Sequence, residues 1–170
     1  MIRVVTVLLA SLFALSGCSR QRGAATSYQA PPPAAGGQMA AMGNEVTQIA
    51  VRREAPYGEF LTDQQGRTLY LFTPDEDAEA STCYDACAAA WPPVLSEMQP
   101  QAAHPDVQGG ELGTVRRADG TMQVTYNGWP LYYYVQDAAP GEIAGQDVHS
   151  FGGEWYLLSP DGDKIEETAR

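Results

Sequence analysis

The chain has 170 residues, of which 21 are acidic and 10 are basic, so its formal net charge is −11 at pH 7. An excess of negative charge repels nucleic-acid phosphates and anionic lipid headgroups. This argues against nucleic acid as a partner and against electrostatic attachment to a membrane. The length leaves room for one domain of ordinary size beside any targeting segment.

The first 17 residues have the pattern of an export signal. Arg3 supplies a positive charge, and residues 4–15 are almost wholly apolar, broken only by Thr6 and Ser11. A stretch of this length fits the apolar part of a signal peptide, whereas a membrane-spanning helix needs about 20 apolar residues. Residues 1–17 are therefore predicted to be a signal peptide.

The signal ends in Leu15-Ser16-Gly17-Cys18, which resembles the lipobox of bacterial lipoproteins. The resemblance implies that Cys18 receives a diacylglyceryl group and becomes the N-terminus. Two or three acyl chains, such as palmitate, then hold the mature protein stably on a membrane. Ser19 follows in place of Asp, which implies the outer membrane if the cell is Gram-negative. Ordinary secretion with an unrelated cysteine is the alternative.

Residues 18–45 are expected to form the lipidated cysteine and a disordered tether. They contain three consecutive prolines, a Gly-Gly pair and many alanines, but few large apolar residues to bury. Met39 and Met42 form an M-x-x-M pair whose thioethers suit copper(I), although two such methionines are more often incidental. Residues 46–170 remain for a single β-rich domain.

This domain has the short runs and turn signals of a mainly β fold with one short helix. The helix is expected from Ser81 to Ala90, capped by Ser81 or Thr82 and stopped by Pro92. Residues 99–110 lack any period and are expected to form a loop. Strands are predicted over residues 46–53, 114–117, 122–126 and 154–158, with a hairpin turn at Asp119-Gly120.

An internal repeat is the most informative feature of the domain. Residues 66–75 align with residues 128–137, and Gly, Leu, Tyr, an aromatic residue and Asp recur at the same offsets. The simplest interpretation is a pair of antiparallel hairpin repeats, about 58–93 and about 114–162, packed as pseudo-symmetric halves of one compact domain. The shared Y-x-aromatic-x-x-D motif comprises Tyr70, Phe72 and Asp75 in the first copy and Tyr132, Tyr134 and Asp137 in the second.

The motif strands are expected to be covered on both faces. Tyr70 and Phe72 point to one side of a strand while Leu69 and Leu71 point to the other, so both faces are bulky. The Asp that follows each strand is expected to accept backbone N–H bonds in a turn or at a helix start. A catalytic carboxylate pair is the alternative.

Cys83 and Cys87 are left as an even pair outside the cytoplasm, so a disulfide between them is predicted. Side chains four residues apart on an ideal helix are too distant for this bond, so the first helical turn must distort. A redox role is the alternative, although C-x-x-x-C differs from the thioredoxin motif. Covalent haem is disfavoured because Ala88 follows Cys87 where attachment needs His.

Taken together, these motifs resemble a bacterial predicted-lipoprotein family described as a secreted repeat of unknown function. The resemblance extends over about residues 58–162 and includes the closing segment 152–156. Two departures are the acidic segment 75–79 and His149, which stands at a variable polar position. The resemblance implies a location in the cell envelope and no defined activity. Some members are similar to proteins associated with electron transfer or haem.

No enzyme motif is found, so we expect a non-enzymatic binding or structural module whose partner is an envelope protein or a cell-wall component, with no cofactor. Trp91, Trp129 and residues 132–134 are candidates for a contact surface, although most are expected in the core. The alternative is an extracytoplasmic electron-transfer protein that binds non-covalent haem or a metal ion. Its weak candidate ligands are His149, expected to be half-buried, His104, expected to be exposed, Met98 and Met122.

Overall fold

The computed structural model describes residues 46–76 and 80–166. The predicted signal peptide (residues 1–17), Cys18 and the tether (residues 18–45) lie outside these ranges, as does part of the acidic segment 75–79. Within the described ranges, no helix is long and apolar enough to cross a membrane.

The described part consists of ten short strands, one α-helix and two 3₁₀ turns, so the predicted mainly β class with one short helix is confirmed. The strands are β1 (Gln48–Glu54), β2 (Gly58–Asp63), β3 (Tyr70–Phe72), β4 (Gln101–Ala102), β5 (Leu112–Arg116), β6 (Met122–Tyr126), β7 (Trp129–Pro130), β8 (Val148–Ser150), β9 (Gly153–Leu158) and β10 (Lys164–Ile165); the helix is α1 (Ala86–Ala90) and the 3₁₀ turns are Thr73–Asp75 and Gly109–Glu111.

The strands form three small sheets rather than one. The first has the order β2-β1-β4 and the third the order β5-β6-β7; in the second, the path β10-β9-β3 is joined by β8, which also pairs with β9. The hairpins are antiparallel, as predicted, and only the short β4 pairs in parallel, with β1. Each copy of the repeat motif is therefore preceded by a hairpin, β1–β2 in the first half and β5–β6 in the second.

The two motif copies pair with each other at their tyrosines. Tyr70 donates its backbone N–H to the carbonyl of Tyr132 at 2.9 Å, and Tyr132 donates to the carbonyl of Tyr70 at 3.0 Å. This reciprocal antiparallel bridge joins equivalent residues, as a local twofold relation between the repeats requires. The predicted pseudo-symmetric arrangement is thus built on direct contact between the motifs.

The two motif segments also separate two clusters of buried side chains. Leu69, Leu71 and Leu131 belong to one cluster, whereas Tyr70 and Tyr132 belong to the other, and all five are fully buried. Strand β3 is therefore covered on both faces, as predicted. In the second copy Tyr132 makes only isolated β-bridges, so the predicted strand does not form there, although Leu131 and Tyr132 are also buried on opposite sides.

A stack of four aromatic rings lies in the second cluster. Phe72 stacks on Trp155 at 4.1 Å between ring centroids, Trp155 on Trp91 at 3.9 Å, and Trp91 on Tyr134 at 3.9 Å. Trp91 is only 1% exposed, so it belongs to the core and not to a contact surface. Trp129 packs half-buried against the other cluster.

The predicted start of the helix is wrong. Helix α1 begins at Ala86, and Asp85 before it has a positive φ of 52°, so neither Ser81 nor Thr82 caps it. Those two side chains are instead engaged with the second repeat and with Asp75, as described below. The predicted end is confirmed, because the helix stops at Ala90, two residues before Pro92.

Residues 99–110 are not wholly a loop. They contain the two-residue strand β4, which pairs with β1, and they run into the 3₁₀ turn Gly109–Glu111. Such a short strand leaves no periodic pattern in the sequence, and its pairing is decided by the neighbouring chain.

Candidate functional site

The Asp of the first motif copy accepts hydrogen bonds from the Tyr of the second copy. Tyr132 donates its hydroxyl to Asp75 Oδ2 at 2.5 Å, while Asp75 Oδ1 accepts both the backbone N–H and the hydroxyl of Thr82, at 2.7 and 2.5 Å. Asp75 is 1% exposed, and these donors compensate the loss of water around its carboxylate.

The Asp of the second motif copy makes the equivalent contact. Tyr70 donates its hydroxyl to Asp137 Oδ2 at 2.7 Å, and the backbone N–H of Ala144 donates to Asp137 Oδ1 at 2.8 Å. In both copies the carboxylate thus holds the backbone N–H seven residues downstream. The turn role predicted for Asp75 and Asp137 is confirmed, and the Tyr of each motif is now seen to complete the other motif.

Both motif tyrosines stay protonated at ordinary pH. Burial raises the pKa of Tyr70 far above its usual value, and Asp137 raises it further by hydrogen bond and charge. Burial, followed by the charge of Asp75, likewise raises the pKa of Tyr132. Burial also raises the pKa of Asp137, although the Tyr70 hydroxyl and the Ala144 N–H oppose this. The tyrosines therefore act as hydrogen-bond donors that join the repeats.

The first pair extends into a buried chain of polar groups. The Arg117 guanidinium donates to Ser81 Oγ at 2.7 Å, and Ser81 Oγ lies 2.6 Å from the Tyr132 hydroxyl. Because Tyr132 in turn donates to Asp75, a buried cation and a buried carboxylate are connected through two hydroxyls. Arg117 is 3% exposed and also donates to the carbonyl of Cys83 at 2.7 Å. It therefore holds the cysteine segment of the first repeat against the second repeat.

The predicted disulfide between Cys83 and Cys87 is confirmed, with the two Cα atoms 5.3 Å apart. Cys83 lies before α1 rather than inside it, which is the distortion that the four-residue spacing demanded. The bond closes a ring of residues 83–87, called here the disulfide ring. Both sulfurs belong to the aromatic cluster, where Cys83 is 1% and Cys87 8% exposed.

An open groove of about 550 Å³ lies beside the disulfide ring. The groove is lined by Phe72 and Pro74, by residues of the 82–87 segment that include Tyr84, Asp85 and Cys87, and by Phe151 with Gly152.

Phe151 occupies a backbone position that disfavours it. The turn between β8 and β9 is Phe151-Gly152, with φ of 55° and 83°; the turn between β6 and β7 is Asn127-Gly128, with φ of 47° and 83°. Asn tolerates a positive φ, whereas the backbone of a bulky aromatic residue is strained there. The Phe151 ring is also 49% exposed, so burial offsets only part of this cost.

The two histidines lie on different elements. His149 is in β8, 63% of its side chain is exposed, and Asp147 and Glu154 lie 3.3 and 3.4 Å from its ring nitrogens; the prediction that it is half-buried is wrong. His104 follows β4 and has 38% of its side chain exposed. Across the described residues, no group of three or more His, Cys, Asp or Glu is placed to hold a metal ion.

Sequence reasoning missed Phe151, Asp85 and Arg117. A Phe-Gly pair before a strand is a turn signal in retrospect, but composition alone does not show that the ring stays exposed. Arg117 was expected to end a strand, and nothing in its neighbourhood along the chain indicates that the guanidinium turns inward. Only the tertiary contacts with Ser81 and Cys83 explain its burial.

Comparison with known proteins identifies the repeat. None of the curated proteins and none of the solved structures gives a significant match. The family model described as a secreted repeat of unknown function matches twice, over residues 51–95 and 113–159. The two matches fall on the two halves that the Tyr–Asp pairs join, and together they cover more than half of the chain. The chain therefore belongs to this family of secreted repeats.

Proposed function

We propose that this chain is a lipid-anchored protein of the cell envelope whose β domain is a non-enzymatic binding module. Membership of a secreted family supports a location outside the cytoplasm. The apolar segment before Cys18 supports export and lipid attachment, and the Cys83–Cys87 disulfide fits an oxidising compartment. If the cell is Gram-negative, Ser19 favours the outer membrane.

The motif carboxylates support a structural rather than a catalytic role for the repeat. Asp75 is almost completely buried, and its oxygens accept bonds from Tyr132 and Thr82. Asp137 is engaged in the same way by Tyr70 and Ala144. A general acid or base must reach the substrate within hydrogen-bond distance. Asp75 faces into the domain, and both oxygens of the half-buried Asp137 already accept hydrogen bonds.

The single observation that carries the binding function is Phe151. This aromatic residue combines a positive φ of 55° with an exposed ring at the rim of the groove. Residues held in unfavourable backbone conformations cluster at functional sites. An exposed aromatic ring beside a groove is also typical of surfaces that contact a partner. The groove and Phe151 together form the proposed contact surface.

Site-specific photo-crosslinking in living cells tests the contact surface. A benzophenone amino acid at position 151 should give a discrete crosslinked product. The same residue at Val135, which is 54% exposed and does not line the groove, provides the control and should not give that product. Identical products from both positions, or none from position 151, would contradict the proposal.

Fractionation of cells tests the anchor independently. The native chain should sediment with membranes, and Cys18→Ala should remove the attachment site for the lipid. If Cys18→Ala still fractionates with membranes as the native chain does, lipid attachment at this residue is wrong.

A further inference from the structure

We propose that the groove binds a basic segment of a partner protein, and that the Phe151 ring and the Asp85 carboxylate together recognise a guanidinium or ammonium group of that segment. The inference rests on the proposed binding function, because it names the chemistry of the partner for the same groove.

The aromatic side of the site is suited to a cation. The Phe151 ring is 49% exposed beside the groove, and the face of an aromatic ring attracts Arg and Lys side chains. Pro74 and Ala86 are exposed lining residues as well, so the apolar stem of a long basic side chain has a surface to cover. The methylene groups of such a side chain pack on the apolar surface while its charged end stays near polar groups.

The charge at the groove has the complementary sign. Asp85 lines the groove and is exposed, and Glu76, two residues beyond Pro74, is exposed too. Lys164 lies 2.6 Å from Glu166 and also interacts with the charge of Glu76, so Asp85 is the carboxylate that the proposed site uses. The chain as a whole carries a net charge of −11, which accelerates the approach of a basic partner and repels an acidic one.

The other cation near the groove faces inward. Arg117 lies over the ring of Tyr84, with its guanidinium carbon 4.4 Å from the ring centroid. Its guanidinium N–H groups donate to Ser81, Gln123 and the carbonyl of Cys83, and the residue is 3% exposed. It therefore supports the wall of the groove without presenting a positive charge to an incoming ligand.

Two substitutions remove the proposed contacts without threatening the fold. Phe151→Asn places at position 151 the residue that the equivalent turn already has at Asn127, so it should relieve strain. Asp85→Asn removes only charge, and Asn tolerates the positive φ of 52° at this position. Glu97→Gln is the control, because it changes the net charge by the same amount at an exposed residue that does not line the groove.

The probe is a fluorescein-labelled peptide, Gly-Arg-Leu-Arg-Gly, compared with the same peptide carrying citrulline in place of arginine. Citrulline keeps the shape of arginine and removes the charge. Fluorescence anisotropy with the exported full-length protein should show binding of the arginine peptide. Phe151→Asn and Asp85→Asn should each weaken binding roughly twofold to fivefold, and citrulline should weaken it by at least as much. Glu97→Gln should leave binding unchanged.

Each other outcome overturns the inference. Equal binding by all three variants would mean that the peptide senses only the overall negative charge. If the citrulline peptide binds as well as the arginine peptide and Phe151→Asn abolishes both interactions, the groove is a binding site but its ligand is not basic. Absence of binding by both peptides, together with a crosslink at position 151, would retain the contact surface and reject its proposed partner.

Discussion

The two repeats use the same motif but complete it differently. In both, a carboxylate accepts the hydroxyl of the other repeat's tyrosine and a backbone N–H seven residues downstream. After Asp75 the chain enters the disulfide ring, whereas after Asp137 it passes Gly145, where a Cβ would lie 2.7 Å from the Tyr70 ring. One repeat closes by a covalent bond and the other by close packing.

This difference separates the part of the motif that holds the fold from the part available for function. The Tyr–Asp exchange is common to both halves, and both of its tyrosines lie in the core. The disulfide ring exists in the first half alone, and it lines the groove together with Phe151 from the second half. The Tyr–Asp contacts, which both halves share, thus account for the repeated motif. The disulfide ring, which only the first half has, lies at the candidate site.

Removal of the two carboxylates should have the largest effect and should be unequal. Asp75→Ala leaves the buried Tyr132 hydroxyl without its acceptor and removes the two bonds that hold the exposed Thr82, which should cost about 2–4 kcal/mol of unfolding free energy. Asp137→Ala should cost about 1–2 kcal/mol, since Asp137 is only half-buried and has fewer donors. Guanidinium unfolding of the purified variants measures both values.

Asp75→Asn and Asp137→Asn are the matched controls, because each keeps one acceptor oxygen of similar shape. Each should lose less stability than the alanine variant at the same position. Equal losses for Asp75→Ala and Asp137→Ala would show that burial does not distinguish the two pairs.

Loss of the disulfide should come next. Replacement of Cys83 and Cys87 by serine opens a ring of five residues, and the chain-entropy model assigns about 2 kcal/mol to its closure. The fold should survive because Arg117, Thr82 and Ser81 still hold the same segment. Thermal unfolding of the double variant, compared with the native protein under reducing and oxidising conditions, measures this effect. A loss near zero would mean that the second repeat already fixes the ring.

The sequence allowed the fold class, the internal repeat and half of the strands to be predicted, and individual residues show why. The alternation of Leu69, Tyr70 and Leu71 predicted a strand buried on both faces, and Asp119-Gly120 predicted the β5–β6 turn. Both features are set by residues adjacent in the sequence, and both predictions were confirmed.

The errors occurred where distant residues decide. Thr82 is a good helix cap by type, but its donors go to Asp75, so the helix starts at Ala86. Arg117 has an acidic neighbour in sequence, Asp119, but that side chain is exposed at 3.7 Å and does not account for the burial of the guanidinium. Trp91 was a predicted contact residue, yet it lies in the core, whereas Phe151 is exposed. Exposure of an aromatic side chain depends on tertiary packing.

The two equivalent turns of the second repeat should respond in opposite directions. Phe151→Asn should raise the unfolding free energy by about 0.5–1 kcal/mol, because it removes an aromatic side chain from a left-handed backbone position. Asn127→Ala should lower it by about 1–2 kcal/mol, since it puts a less tolerant residue at φ 47° and removes the bond to the Gly162 carbonyl. Urea unfolding of both variants measures the pair. A loss of stability in Phe151→Asn would show that the ring is kept for the fold and not for a partner.

The smallest effect concerns the pH dependence of the half-buried pair. Burial raises the pKa of Asp137 above its ordinary value, so the folded protein holds this proton more tightly than the unfolded chain does. Stability contributed by this group is present at low pH and is lost as the pH rises from the ordinary carboxyl pKa through the raised one. Asp137→Asn cannot ionise and lacks that loss. The advantage of the native protein over Asp137→Asn should therefore shrink as the pH increases from about 4 to 7, in urea unfolding at constant ionic strength. An advantage that grows over this range would mean that the Tyr70 hydroxyl and the Ala144 N–H outweigh burial, and that the second Asp is stabilised as a carboxylate.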